Sequence, residues 1–98
     1  MKIVIVGDGK VGFALTTQLA KEGHDVVVID SNKVVLAEAQ QSLDINVVQG
    51  NGATIKCQNQ AGVDTSDLIA ATSADETNLL CCITAHKLGC AHTIARVR

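Results

Sequence analysis

Apolar positions along the 98-residue chain alternate between two patterns. Lys2–Val6 (KIVIV) is a short β-branched run stopped by Gly7, as in a strand covered on both faces. Val11, Ala14, Leu15 and Leu19 then recur at helical spacing, with Gly23 as the stop signal. Asp25–Asp30 (DVVVID) is a second buried run. Val35, Leu36, Ala39 and Leu43 mark a second helix, and Asn46–Gln49 a short third strand closed by Gly50-Asn51-Gly52. A weaker helical pattern covers residues 54–61, before Gly62. Leu68–Thr72 predicts a fourth strand. Leu79, Leu80, Ile83 and Leu88 predict a helix over residues 75–88 ending at Gly89, and Thr93–Val97 a fifth strand.

Strict βαβ alternation with short connections predicts an α/β domain with one parallel sheet and helices on both faces. Five strands in this pattern give a Rossmann-like, doubly wound sheet of order 3-2-1-4-5 over residues 1–98, one domain. Strand order then reverses between strands 1 and 4, and ligands bind such sheets at the carboxyl ends of the strands flanking that point.

Composition narrows the function classes. Apolar residues make up 47% of the chain and charged residues 18%, which excludes intrinsic disorder. The net charge is −2 and Phe13 is the one aromatic residue, so the basic face and stacking aromatics of a nucleic-acid binder are missing. The longest purely apolar run is Leu79–Ile83, far short of the ~20 residues a membrane span needs. No secretory leader follows Met1. The expected location is cytoplasmic, without direct membrane insertion, and Cys57, Cys81, Cys82 and Cys90 are expected to be reduced, buried thiols.

Gly7-Asp8-Gly9-Lys10-Val11-Gly12 is G-x-G-x-x-G between a predicted strand and a predicted helix. In this context Gly7 permits the tight turn, Gly9 lets backbone N–H groups approach a pyrophosphate, and Gly12 lets helix and sheet pack closely. The helix start adds free N–H donors and the positive end of its dipole. Asp30 ends strand 2, eighteen residues after Gly12. It fits the carboxylate that hydrogen-bonds ribose hydroxyls and repels a 2′-phosphate; the other role open to it, capping the next helix, can fall to Asn32. Ser31-Asn32-Lys33 holds no arginine to receive a 2′-phosphate, which favours NAD(H) over NADP(H).

Other positions carry two readings each. Asn51, between Gly50 and Gly52 at the end of strand 3, is placed for an adenine edge or for a turn. Ser73-x-x-Glu76 reads as a capping box, while Thr72 and Ser73 also border the ligand crevice near a second ribose. Arg96 and Arg98 share one side of an extended chain end, either as a solvated terminus or facing a phosphate or carboxylate. Cys82, His86, Cys90 and His92 lack a C-x-x-C pair and span a helix, its cap and a strand, so they read as structural and surface residues and no metal site is expected.

Met1–Gly12 (MKIVIVGDGKVG), Gly23–Asp30 (GHDVVVID), Gly62–Leu68 (GVDTSDL), Ala70–Leu79 (AATSADETNL) and Thr93–Arg98 (TIARVR) together resemble the N-terminal, RCK or KTN, domain of TrkA-type potassium-uptake regulators. The resemblance implies a cytoplasmic domain at the inner face of the cell membrane that binds NAD(H) or ADP/ATP. It also implies assembly as a homo-oligomer (dimer, tetramer or ring) and control of a membrane-embedded Trk/Ktr potassium transporter subunit. It carries the phosphate site onto Gly7–Gly12, the first ribose onto Asp30, the adenine side near Asn51 and the far side near Thr72 and Ser73; Ser31, beside Asp30, and Arg96 join them as candidate binding residues. Where this chain has Asn51 the family often has aspartate.

Two function classes follow. One is a nucleotide-binding regulatory domain without catalytic residues. The other is the cofactor half of an NAD-dependent dehydrogenase, which needs a substrate pocket and an acid or base near the nicotinamide. Of the His and Lys residues, Lys10 alone falls at a strand's carboxyl end, and it belongs to the phosphate turn. The regulatory reading is therefore preferred.

Overall fold

The computed structural model describes residues 1–97. Its strands are β1 (Lys2–Val6), β2 (Asp25–Asp30), β3 (Asn46–Gln49), β4 (Asp67–Ala70) and β5 (Thr93–Ala95), all parallel, in the order β3-β2-β1-β4-β5. The helices are α1 (Lys10–Lys21), α2 (Lys33–Ser42), α3 (Ile55–Ala61) and α4 (Asp75–Lys87), with a 3-10 turn at Val63–Thr65. The expected fold class and strand order are those observed.

The β-branched runs explain the layering. Successive side chains of a strand point to opposite faces, so Ile3, Ile5, Val26 and Val28 pack against Leu36 and Ala39 of α2 and Leu15 and Leu19 of α1. Val4, Val6, Val27 and Ile29 pack on the opposite face, with Cys57 and Ala61 of α3 and Cys81 and Ala85 of α4. Both faces of β1 and β2 are thus sealed, which is why those segments read as unbroken apolar runs.

Three details differ from the sequence reading. The buried stripe of α1 is Gly12, Leu15, Thr16 and Leu19, whereas Val11 and Ala14 are exposed. Gly12 and Thr16, one turn apart, are its most buried positions because the glycine turn presses on this face of the helix. Strands β4 and β5 end two residues early. Ala71 N still donates to Val6 O at 2.8 Å and Arg96 N to Ala70 O at 2.9 Å. After these bonds the side chain of Asn78 takes over the backbone groups of Thr72 and Arg96. The third difference is α4's start. Its N-cap is Ala74 with no side-chain cap, so the Ser73–Glu76 capping box does not form. Thr72 Oγ1 accepts from Ala74 N at 3.2 Å instead.

Helix α4 turns Asn78, Cys81 and Ala85 to the sheet and leaves Leu79, Leu80 and Ile83 exposed by 52%, 54% and 54%. The other helical face is bonded to the loop after β3. Gln58 Nε2 donates to Gly52 O at 2.8 Å and to Cys81 O at 2.9 Å, and Thr84 Oγ1 donates to Ala53 O at 3.0 Å. All four cysteines are free, and Cys82 is only half-buried. Burial, with Cys82 alongside, pushes the Cys81 thiol up to about 11, which leaves it without thiolate character at neutral pH.

Candidate functional site

A cleft of about 640 Å³ opens at the carboxyl ends of the strands, within the usual range of small-molecule sites. It lies where strand order reverses between β1 and β4. Its lining comes from the carboxyl ends and following connections of all five strands: Gly7, Gly9, Lys10 and Val11 after β1, Asp30 at the end of β2 and Ser31 after it, Asn51 and Gly52 after β3, Thr72, Ser73 and Thr77 after β4, and Arg96 after β5. Ten of the twelve residues expected at the site from the sequence meet here. Arg98 lies outside the described residues.

The two exceptions, Asp8 and Gly12, support the glycine turn from beneath. A Cβ on Gly12 would lie 1.8 Å from Gly7 O, so the turn sits directly on the backbone of α1. Gly7 has φ +90, and a Cβ there would meet Thr72 Cγ2 at 2.8 Å, so strands β1 and β4 leave no room for a side chain between their ends. Gly9 is different. Its backbone is extended at φ −70, and a Cβ would meet nothing within 4 Å. The protein's own packing therefore requires glycine at 7 and 12 and makes no such demand at 9.

Gly9 is also the N-cap of α1, with no side-chain cap. The first N–H groups of the helix thus remain for an external acceptor. Lys10 stands beside them, and Arg96 supplies a second cation from the opposite wall.

Asp30 is held from two sides. Its Oδ2 accepts from Asp8 N at 2.8 Å and its Oδ1 from Asn32 N at 2.9 Å. Asn32 itself caps α2, accepting from Val34 N at 2.9 Å, so the capping role open to Asp30 in the sequence belongs to its neighbour. A carboxylate has about four acceptor positions, so Asp30 keeps capacity for hydroxyl donors in the cleft.

Asp8 faces the other way. It is buried, its Oδ1 accepts from Thr16 Oγ1 at 2.8 Å, and its Oδ2 is buried without a partner. Burial raises the Asp8 pKa, the Thr16 hydrogen bond opposes that rise, and the nearby Asp30 charge adds to it.

Sequence reasoning gave no individual site role to Asn78, Thr77 or Thr16, although Thr77 and Asn78 lie in the AATSADETNL segment. Asn78 is fully buried behind the β4 and β5 ends, Thr77 lines the cleft, and Thr16 holds Asp8. A signal existed for two of them: Thr16 and Asn78 are polar residues on otherwise apolar, sheet-facing helix stripes. The cysteine and histidine positions weighed for metal point elsewhere. Cys90 Sγ donates to Ser66 O at 3.1 Å, and His92 Nδ1 meets Asp67 Oδ1 at 3.1 Å.

Comparison with known proteins adds identity to this geometry. The chain is 44% identical over 100 residues to the Trk system potassium uptake protein TrkA of Halomonas elongata, covering 100% of this chain and 22% of that protein. It is 41% identical over 98 residues to a Trk system potassium uptake protein TrkA homolog of Methanothermobacter thermautotrophicus, covering 99% of this chain and 45% of that one. The chain thus spans less than half the length of either curated relative. The AMP-bound Kef CTD of Shewanella denitrificans superimposes with a TM-score of 0.81 at 22% identity, over 99% of this chain and 59% of that one, which establishes the shared fold. The TrkA-N domain model matches residues 3–98. On that match, which takes in the whole cleft and every strand but for the first residue of β1, the chain belongs to the TrkA-N domain family.

Proposed function

We propose that this domain binds NAD(H), or alternatively ADP or ATP, across the cleft as an effector, and so regulates a membrane-embedded potassium transporter of Trk/Ktr type. The observation that carries the reading is Gly9. Space for a side chain exists there, the backbone conformation permits one, and the position opens onto an uncapped helix start. A pyrophosphate seated on the first-turn N–H groups needs that space empty. Asp30 and Ser31 then receive the ribose, Asn51 the base, and Thr72, Ser73 and Arg96 the far end. A neighbour of the same fold was solved with AMP bound, which supports an adenine nucleotide as the ligand class.

Among the described residues, the ionisable side chains lining the cleft are Lys10, Asp30 and Arg96. These are binding charges, and none is a histidine of the kind that shuttles protons at neutral pH. That favours an effector site over a dehydrogenase half. The potassium-uptake relatives support a transporter subunit as the partner; a cytoplasmic position at the inner face of the membrane and assembly as a homo-oligomer complete the proposal. The apolar stripe Leu79, Leu80 and Ile83 supplies contact area for such assembly.

The test is calorimetric titration of the wild-type domain with NAD, NADH, ADP and ATP, beside the same titrations of Gly9→Val. Binding by the wild type, lost in the variant, supports the reading. Equal binding by both removes the glycine turn from the site. Turnover of a small substrate with NADH would replace the effector reading with the enzymatic one.

A further inference from the structure

Asn78 is fully buried one turn into α4, and it makes every hydrogen bond a carboxamide can make. Its Oδ1 accepts from Thr72 N at 2.9 Å and from Thr72 Oγ1 at 2.7 Å. Its Nδ2 donates to Thr72 O at 3.1 Å and to Arg96 O at 3.0 Å. The orientation of the amide is set by its partners, because a backbone N–H only donates and two carbonyls only accept.

Both tethered residues line the cleft. Thr72 sits where β4 gives way to α4, and Arg96 where β5 has ended. Beyond Ala95 the chain has left the ladder, with Arg96 N bonded to Ala70 O as its last sheet contact. Strand β5 is three residues long and at the sheet edge, so little else holds the backbone from which the Arg96 side chain projects.

We infer that Asn78 is a positioning residue for the cleft. It sets the backbone of Arg96 against that of Thr72, so that the cation and the hydroxyl of the far wall face a nucleotide as one preorganised surface. Asn78 does not itself line the cleft, and it acts through Arg96 and Thr72. Preorganisation of this kind lowers the ordering cost that binding would otherwise incur. The inference rests on the nucleotide-binding reading of the cleft.

A double-mutant cycle separates this role from plain structural support. NADH, NAD, ADP and ATP are titrated into the wild type, Asn78→Ala, Arg96→Ala and the double variant, well below each melting temperature. Asn78→Ala is expected to weaken the nucleotide that the wild type binds best by tenfold or more, and by a several-fold smaller factor when Arg96 is already alanine, the remainder being the share that acts through Thr72. Equal fold losses in both backgrounds, or unchanged affinity with only a lower melting temperature, would overturn the inference while leaving the nucleotide reading intact. If Asn78→Ala does not fold, Asn78→Ser takes its place. One hydroxyl cannot make all four bonds, and the same dependence on Arg96 is expected with a smaller loss.

A ligand-free measurement accompanies the cycle. Amide hydrogen exchange at Thr72 and Arg96 should accelerate at least tenfold in the Asn78 variant while amides of β1 and β2 stay protected. Unchanged protection at both would also overturn the inference. If the wild type binds none of the four nucleotides, the nucleotide reading falls, and the exchange data alone then decide whether the tether exists.

Discussion

The backbone N–H of Asp8 donates to Asp30 Oδ2 at 2.8 Å, tying the glycine turn after β1 to the carboxyl end of β2. The two strands are neighbours in register, with Val6 beside Ile29, so the next residues of each meet across the top of the sheet. One carboxylate thereby shapes the loop under the proposed phosphates and faces the proposed ribose.

Asp30→Ala should therefore lose twice. NADH affinity should fall by roughly 1–3 kcal/mol, the range for hydrogen bonds to a charged group. Stability should fall by about 1–2 kcal/mol as well, because Asp8 N and Asn32 N lose their acceptor. Titration calorimetry and urea denaturation read the two effects separately. Asp30→Arg should move preference toward NADP(H). Unchanged NADH affinity in Asp30→Ala would show that the ribose lies elsewhere.

The glycines of the turn should divide by what surrounds them. Gly12→Ala places its Cβ against Gly7 O, at 1.8 Å without relaxation, and should cost about 2–3 kcal/mol or more, the cost of forced overpacking. At Gly9 a Cβ meets nothing within 4 Å, so Gly9→Val should cost no more than about 1 kcal/mol, the cost of a poorer N-cap residue, while removing nucleotide binding. Urea melts of the two variants beside the wild type check the contrast. A Gly9→Val variant as unstable as Gly12→Ala would refute the separation of roles.

Asp8 should make stability depend on pH. Its folded-state pKa lies above the unfolded value near 3.8, chiefly because the carboxyl is buried. A raised pKa means that the folded state holds the proton more tightly. Its contribution is then full below the unfolded pKa and is lost as pH rises through the folded pKa. Asp8→Asn keeps an oxygen for the Thr16 hydroxyl and cannot ionise. Relative to this variant, the wild type should lose stability as pH climbs from 3.8 through the folded value, with a constant difference beyond. Urea denaturation across that window tests it, and a pH-independent difference would exclude ionisation of Asp8 as the cause.

An effector must be tested on what it controls. On the proposed reading, in the full-length protein with the proposed transporter subunit, exchanging NADH for NAD, or ADP for ATP, should change potassium flux, since only ligands with different affinities for two assembly states can shift between them. Flux assays in reconstituted vesicles should show the response in the wild type and its absence in Gly9→Val. An equal response in the variant would place the sensor outside the Gly7–Gly12 turn.

Much of the molecule was legible from local pattern alone. The runs KIVIV and DVVVID are buried on both faces, and two-sided burial leaves no choice of residue type, so they announce central parallel strands. Alternation with helical spacing then narrows the strand order to a few choices, because right-handed crossovers permit few others. The glycine fingerprint and Asp30 were legible as candidates from their spacing between a strand and a helix and at a strand end. Tertiary structure alone decided the direction each polar group takes. Asp8 sits inside the fingerprint yet turns away from the cleft to Thr16, an orientation set by α1 packing beneath the turn. Ser73 and Glu76 have capping-box spacing, but Thr72 receives the Ala74 N–H and Asn78 receives Thr72. Strands β4 and β5 end where Asn78 competes for their backbone groups. Periodicity reports which face of an element is dry. It carries no record of which partner, 18 residues away in sequence for Asn78 and Arg96, arrives to satisfy a buried amide.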